Sequence, residues 1–167
     1  MSGIGQVYQL NRKPETEGAH GLPKLPTPEV EVSARGVTGD FNRFRHEERR
    51  DDPGMALLII PLETIEELNR DGWAVRPGDL GENVTSRGVP YDDFVPGRKF
   101  QIGDVRVEIV KPCDPCTNLY LLPYVGHERG PEFLRVTLGR RGWYARVLEE
   151  GRIRQGDPIR RLPDSSN

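Results

Sequence analysis

A mainly β fold with a few short helices is predicted for this chain by three observations. Nineteen glycines and fifteen prolines punctuate its 167 residues, the density of turns that many short strands require. Several runs alternate apolar and polar residues with the period of two expected of a half-buried strand. Only one segment carries clear helical periodicity. The length suits a single domain with one core, placed here over residues 1–162, with a disordered tail over 163–167.

Ile4 to Leu10 is a candidate first strand. Asn11 to Glu29 is polar and broken by Pro14, Gly18, Gly21, Pro23, Pro26 and Pro28, and it reads as a loop. Val30-Glu31-Val32 alternates as a strand should and runs into Gly36-Val37-Thr38-Gly39-Asp40, where two glycines permit a tight backbone path. Phe41 to Pro53 is dense in charge without periodic apolar residues and is expected to be an exposed loop. Met55 to Ile60 is a continuous apolar run, the pattern of a strand buried on both faces.

Pro61 suits the first turn of a helix in which Leu62, Ile65 and Leu68 share one face, ended by Asn69 to Gly72. Gly81 to Thr85 reads as a turn entering a strand. Phe100 and Ile102, then Val105, Val107 and Ile109, alternate on either side of Gly103-Asp104 and predict a β-hairpin that delivers the chain to Pro112-Cys113-Asp114-Pro115-Cys116. After Cys116 a loop with Pro123, Gly126 and Gly130 is expected, and Phe133 to Leu138 fits a short helix or a strand. Trp143 to Leu148 and Ile153 to Ile159 read as two further strands, the second interrupted at Gly156-Asp157-Pro158.

Charged residues make up 30% and the hydrophobic set 35%, too apolar a composition for a wholly disordered chain. A formal net charge of −2 argues against an electrostatic nucleic-acid binder. The charge is uneven, because eight arginines between Arg135 and Arg161 face only Glu149, Glu150 and Asp157. That block reads either as an anion site or as a salt-bridged surface. No apolar run approaches the roughly 20 residues of a membrane span, and nothing at the start resembles a signal peptide, so a cytoplasmic protein with no membrane partner is expected.

Cys113 and Cys116 leave three readings open. Zinc needs four ligands, and His20, His46 and His127 are scattered. A redox dithiol normally opens a helix after a strand, where Pro115 is out of place. Two small packing thiols are the third reading.

Five segments resemble, in order, those of the MOSC (molybdenum cofactor sulfurase C-terminal) domain family, of the standalone bacterial type. They are Gly36-Val37-Thr38-Gly39-Asp40; Gly81-Glu82-Asn83-Val84-Thr85; Phe100-Gln101-Ile102-Gly103-Asp104; Lys111 to Cys116 with its Pro115-Cys116; and Gly139 to Leu148 with Gly151 and Gly156-Asp157. In those relatives the first segment precedes a loop containing histidine and glycine, whereas this chain has Asp51-Asp52-Pro53-Gly54 with His46 offset.

The resemblance implies a β-barrel-like fold and a molybdenum cofactor (molybdopterin) bound through Cys116, the metal's protein ligand and the functional thiol. A thiolate is a soft ligand suited to such a metal. Cys113 is then a supporting or packing residue. The cofactor's phosphate calls for positive charge, with Lys111, Arg140 and Arg141 as candidates, and Asn83 suits the pterin edge because its amide donates and accepts at once. Read without the resemblance, Glu82-Asn83 is a turn bonding its own backbone, and Asp40 and Asp157 are turn-stabilising residues.

Two functions follow from the resemblance. The first is a molybdenum-dependent oxidoreductase that reduces N-hydroxylated small molecules and, lacking a flavin, haem or nicotinamide fingerprint, draws electrons from a separate donor protein. The second is a non-enzymatic carrier holding sulfur as a persulfide, or the cofactor itself, at Cys116. A cofactor-free domain keeping only the fold is a third expectation, and a homodimer is compatible with all of these.

Overall fold

The computed structural model of the chain describes residues 4–14, 21–41 and 52–164. In chain order the elements are β1 (Ile4–Arg12), β2 (Leu25–Thr27), β3 (Glu29–Ser33), β4 (Gly36–Val37), β5 (Leu57–Pro61), α1 (Leu62–Arg70), β6 (Val84–Arg87), β7 (Lys99–Ile102), β8 (Val105–Pro112), α2 (Gly126–Thr137), β9 (Trp143–Glu149), β10 (Gly151–Arg154) and β11 (Pro158–Arg161). Seven strands follow one another as β11-β7-β8-β9-β5-β6-β1, and the pairing of β1 with β11 closes them into a barrel. The mainly β, barrel-like fold is therefore present.

Closure depends on the long β1. Its first residues pair with β11, Gln6 to Leu10 pair with β6 across an irregularity between Val7 and Gln9, and its last three residues hold β2. Such an irregularity bends a strand and sharpens its twist, which a barrel wall requires. Val7, Phe94, Phe100, Ile102, Val107 and Ala145 are among the residues filling the interior, each removed from water. A small sheet ordered β10-β3-β4 contributes Val30, Val32, Val37 and Ile153 to the same core.

Every residue of β5 is buried, as its uninterrupted apolar run predicts. Leu57 and Ile59 face the barrel interior, Ile60 joins a layer beneath the helices, and Leu58 joins a third cluster with Met55, Cys113 and Tyr144. The β5–β6 pairing is parallel, so the chain must cross over, and α1 makes that crossover with Ile65 and Leu68 packed inward. Pro61 stands one place earlier than expected, ending β5 as the residue before the helix. No helix among the described residues is long and apolar enough to cross a membrane.

Three expectations about local structure are corrected and one open reading is settled. The segment read as a loop from Asn11 to Glu29 contains β2, an edge strand on which Pro26 withholds no needed ladder hydrogen bond. The loop expected after Cys116 is a 3-10 helix at Thr117–Leu121 followed by the twelve-residue α2. Gly130 and Pro131 hide that helix from propensity rules. Gly130 is buried against the Tyr120 ring, and Phe133 sets its own ring 4.6 Å from Trp73, so tertiary packing outweighs propensity.

The helix-or-strand ambiguity of Phe133 to Leu138 resolves as helix. Finally, Ile153 to Ile159 is two strands in different sheets, separated where Gly156 takes φ +88° and the Asp157 carboxylate accepts from the Arg154 N–H at 2.7 Å. Most of the exposed loop expected over Phe41 to Pro53, the last three residues of the tail expected over 163–167, His20 and His46 lie outside the described residues.

Candidate functional site

At the end of β8 the Cys113 N–H donates to the Gly142 carbonyl at 2.8 Å, tying the cysteine loop to the turn that precedes β9. Cys113 is buried and Cys116 half-buried, and both are free thiols. They line one side of a cavity of about 360 Å³, within the size range of small-molecule sites. Leu22, Met55, Leu58 and Leu80 make apolar wall, while Lys24, Lys111 and Arg141 bring positive charge against Asp114, the single acidic lining residue among the described residues.

Among the described residues, Arg141 alone of those cations has buried donor atoms with no partner at all. Lys24 pairs with Asp40 at 2.5 Å, and the Lys111 ammonium lies 3.5 Å from Asp52 with both side chains substantially exposed. Arg141 is 5% exposed, and its Nε and Nη1 have no hydrogen-bond partner among the described residues. Burial alone would lower its pKa, but Cys113, Tyr144, Cys116 and Glu82 around it raise the pKa on balance, so the guanidinium stays charged.

Tyr144, from β9, packs with Cys113 in a buried cluster, and its hydroxyl is held protonated first by burial and then by that neighbour. Tyr91 braces the turn from outside, accepting the Gly142 N–H at 3.0 Å while its own carbonyl accepts from Trp143 Nε1 at 3.1 Å.

The structure brings Cys116, Lys111 and Arg141 together in the cavity and places Asn83 and Arg140 elsewhere. Asn83 accepts from the Leu58 N–H at 3.2 Å and donates to Asp40 at 2.9 Å, clamping strands behind the cavity wall. Arg140 donates to the Val136 carbonyl at 2.9 Å and to Asp71 at 3.3 Å, capping α2. Several other arginines of the basic block are in surface ion pairs, among them Arg146 with Glu108 and Arg152 with Glu31. Among the described residues no group of three or more His, Cys, Asp or Glu side chains is placed to hold a metal ion by itself.

Lys24 and Tyr144 were not singled out from sequence, and Glu82 was read only as part of a turn bonding its own backbone. Lys24 fell in the segment read as loop, and Tyr144 sits inside the Gly139–Leu148 block, which was itself a usable signal. Glu82 is fully buried, its Oε1 accepting from the Gly78 N–H at 3.0 Å and its Oε2 from the Thr85 hydroxyl at 3.2 Å. Burial raises its pKa from 4.5 to about 7. Because the folded pKa is raised, folding takes up a proton between those values, so this contribution to stability is complete below about 4.5 and lost as pH rises through about 7. The melting temperature of the unmodified chain, measured by calorimetry relative to Glu82→Gln, is expected to fall between pH 5 and 8.

Compared with known families, the chain matches the MOSC domain over residues 46–160. No curated protein matches it. Among solved structures it is similar to the YuaD protein from Bacillus subtilis, at 18% identity and TM-score 0.75, over 93% of this chain and 94% of that one. It is also similar to YiiM from Geobacillus stearothermophilus, at 26% identity and TM-score 0.70, over 95% and 75% of the two chains. For YiiM from Escherichia coli the figures are 19%, 0.68, 97% and 72%.

Proposed function

The chain belongs to the MOSC domain family, and from that premise we propose that it binds the molybdenum cofactor through Cys116 and reduces N-hydroxylated small molecules with electrons from a separate donor protein. The observation that carries this reading is the buried Arg141 guanidinium, which lines the same cavity as Cys116 and whose Nε and Nη1 have no partner among the described residues. Leaving two such donors unmatched is costly unless a ligand meets them.

The residues present fit the group. A half-exposed thiol offers a soft donor to the metal, the guanidinium offers positive charge and charge-assisted hydrogen bonds to a phosphate, and the exposed Lys111 adds further positive charge. Leu22, Met55, Leu58 and Leu80 offer an apolar bed to a flat heterocycle and exclude water. When bound, the cofactor supplies a metal that cycles between two oxidation states. Tyr144 keeps its proton at the hydroxyl and steadies Cys113, leaving Cys116 as the accessible thiol. Removing the hydroxyl oxygen of an N-hydroxy compound takes two electrons and two protons and yields the reduced nitrogen compound and water.

The test is to purify the chain from a cofactor-producing host, measure molybdenum and released pterin per chain, and then assay reduction of a hydroxylaminopurine and an amidoxime with an artificial donor. Stoichiometric metal with turnover supports the proposal. Metal without turnover leaves a cofactor carrier, and a metal-free chain from a competent host overturns cofactor binding. Arg141→Lys is expected to weaken cofactor retention about tenfold, because an ammonium cannot reproduce the guanidinium's paired hydrogen bonds. Lys111→Ala is expected to change it by less than about fivefold, since an exposed, already paired lysine contributes under about 1 kcal/mol. Retention during dialysis against a chelator-free buffer measures both.

A further inference from the structure

Asp114 lies between the two thiols in the chain and lines the cavity with them. Its backbone is fixed from both sides. The Cys113 N–H is tied to the Gly142 carbonyl at 2.8 Å, and the Cys113 thiol donates to the Asp114 carbonyl at 3.7 Å. Pro115 follows and biases the Asp114 backbone toward extended conformations. Two residues of chain span at most about 7 Å, so a small molecule held at the Cys116 sulfur lies within the compass of the Asp114 side chain.

The other charged lining residues are matched or enclosed. Lys24 is paired with Asp40 and its side chain is 3% exposed, Lys111 faces Asp52 at 3.5 Å, and Arg141 is buried. Asp114 is exposed, and its carboxylate has no hydrogen bond or ion pair among the described residues. Leu121, a large apolar side chain, lines the same cavity with 45% of its surface exposed. A molecule entering the cavity therefore meets one unmatched carboxylate together with uncovered apolar surface. Those two features complement a cationic head carried on an apolar body.

We propose that Asp114 is a specificity-determining residue that pairs with an amidinium group, so that the site favours aryl amidoximes, whose products are cations, over N-hydroxy compounds whose products are neutral. This rests on the reading of the cavity as a site of N-hydroxy reduction. In that reaction an amidoxime takes two electrons from the donor protein and two protons. Its N–O bond breaks, new N–H and O–H bonds form, and the products are an amidine and water. The amidine then takes a third proton from solvent and becomes a cation with two parallel N–H donors, a match for one carboxylate. A hydroxylaminopurine gives a neutral aminopurine by the same balance. A carboxylate that attracts the product-like charge more strongly than the neutral substrate accelerates the first reaction relative to the second.

The first arm of the test is binding and needs no turnover. Benzamidine, neutral benzamide and the ringless cation acetamidine are titrated into the full chain and followed by NMR at the backbone amides of Cys116 and Leu121. Benzamidine is expected to bind about fivefold tighter than benzamide, the modest preference of a solvent-exposed ion pair, and acetamidine to bind more weakly than benzamidine. Asp114→Asn is expected to remove the preference for benzamidine over benzamide, and Asp114→Glu to retain it. Because Asp114 is exposed and its carboxylate bonds nothing among the described residues, both variants are expected to melt with the unmodified chain. Benzamidine binding that Asp114→Asn leaves unchanged, binding away from the cavity, or no binding at all would overturn the proposal.

The second arm uses the metal-loaded chain with the artificial donor and compares kcat/KM for benzamidoxime with that for 6-hydroxylaminopurine. Asp114→Asn is expected to lower the ratio of the two about fivefold, in line with the same exposed pair. Turnover with an unmoved ratio would overturn the role of Asp114 and leave the reductase reading standing. A loaded chain that turns over neither substrate would overturn the reductase reading, and the benzamidine titration then decides on its own whether Asp114 holds an amidinium.

Discussion

Cys116→Ser is expected to abolish molybdenum retention, whereas Cys113→Ser keeps it. The two thiols are three positions apart and line the same cavity, yet their surroundings differ. Cys113 is buried in a small cluster with Met55, Leu58 and Tyr144, and its N–H is fixed to the Gly142 carbonyl. Cys116 is half-buried, opens the Thr117–Leu121 turn, and has no side-chain cap bond there. A serine oxygen is a hard and weakly acidic donor, so it does not replace a thiolate on a soft metal. Cys113→Ser places a hydroxyl where Tyr144 offers a partner, so its cost is limited to about 1 kcal/mol of stability.

Molybdenum per chain, measured by elemental mass spectrometry alongside a thermal melt of each variant, decides the matter. Metal retained in Cys116→Ser, or lost equally in both folded variants, would remove Cys116 from its proposed role.

The second large effect is on the fold. Gly142→Ala is expected to destabilise the protein by about 3 kcal/mol, combining a left-handed backbone cost of about 1–2 with an overpacking cost of about 1–3 kcal/mol. Gly142 has φ +103°, and a methyl group there would stand 2.5 Å from Ile60 Cγ1 and 2.7 Å from the Ile59 carbonyl oxygen. Gly139→Ala is the matched control, because Gly139 has φ +77° with nothing within 4 Å of the added carbon. It should lose only the backbone part. Urea unfolding of the two variants separates the terms, and equal losses would show that the close approach of Gly142 to β5 is without consequence. The same substitution disturbs the cavity, since Gly142 bonds both Tyr91 and Cys113 and is next to Arg141.

Strands set by their own alternation were legible without the fold: β3, the β7–β8 hairpin and β9 lie where the pattern of side chains puts them, and the apolar run at Met55 to Ile60 predicted a strand covered on both faces. The resemblance also directed attention to Cys116, Lys111 and Arg141, which share a cavity although thirty residues separate Lys111 from Arg141.

What the sequence did not disclose has a common cause. Helix α2 carries Gly130 and Pro131 and is held by Phe133 against Trp73, a contact between residues far apart in the chain. Strands β10 and β11 look like one interrupted strand until the barrel takes one and the small sheet the other. Arg140 and Arg141 are adjacent and chemically identical. One caps a helix in contact with Asp71 and the other lines the cavity.

Likewise Asn83 is consumed in clamping strands, while its neighbour Glu82 acquires a shifted pKa from complete burial. Periodicity and turn chemistry are local, so the sequence by itself determined the β character, most of the strands and the cysteine segment. Burial, counter-charge and the direction of a side chain depend on partners brought together by barrel closure, so tertiary structure alone decided which arginine shares the cavity with the thiols.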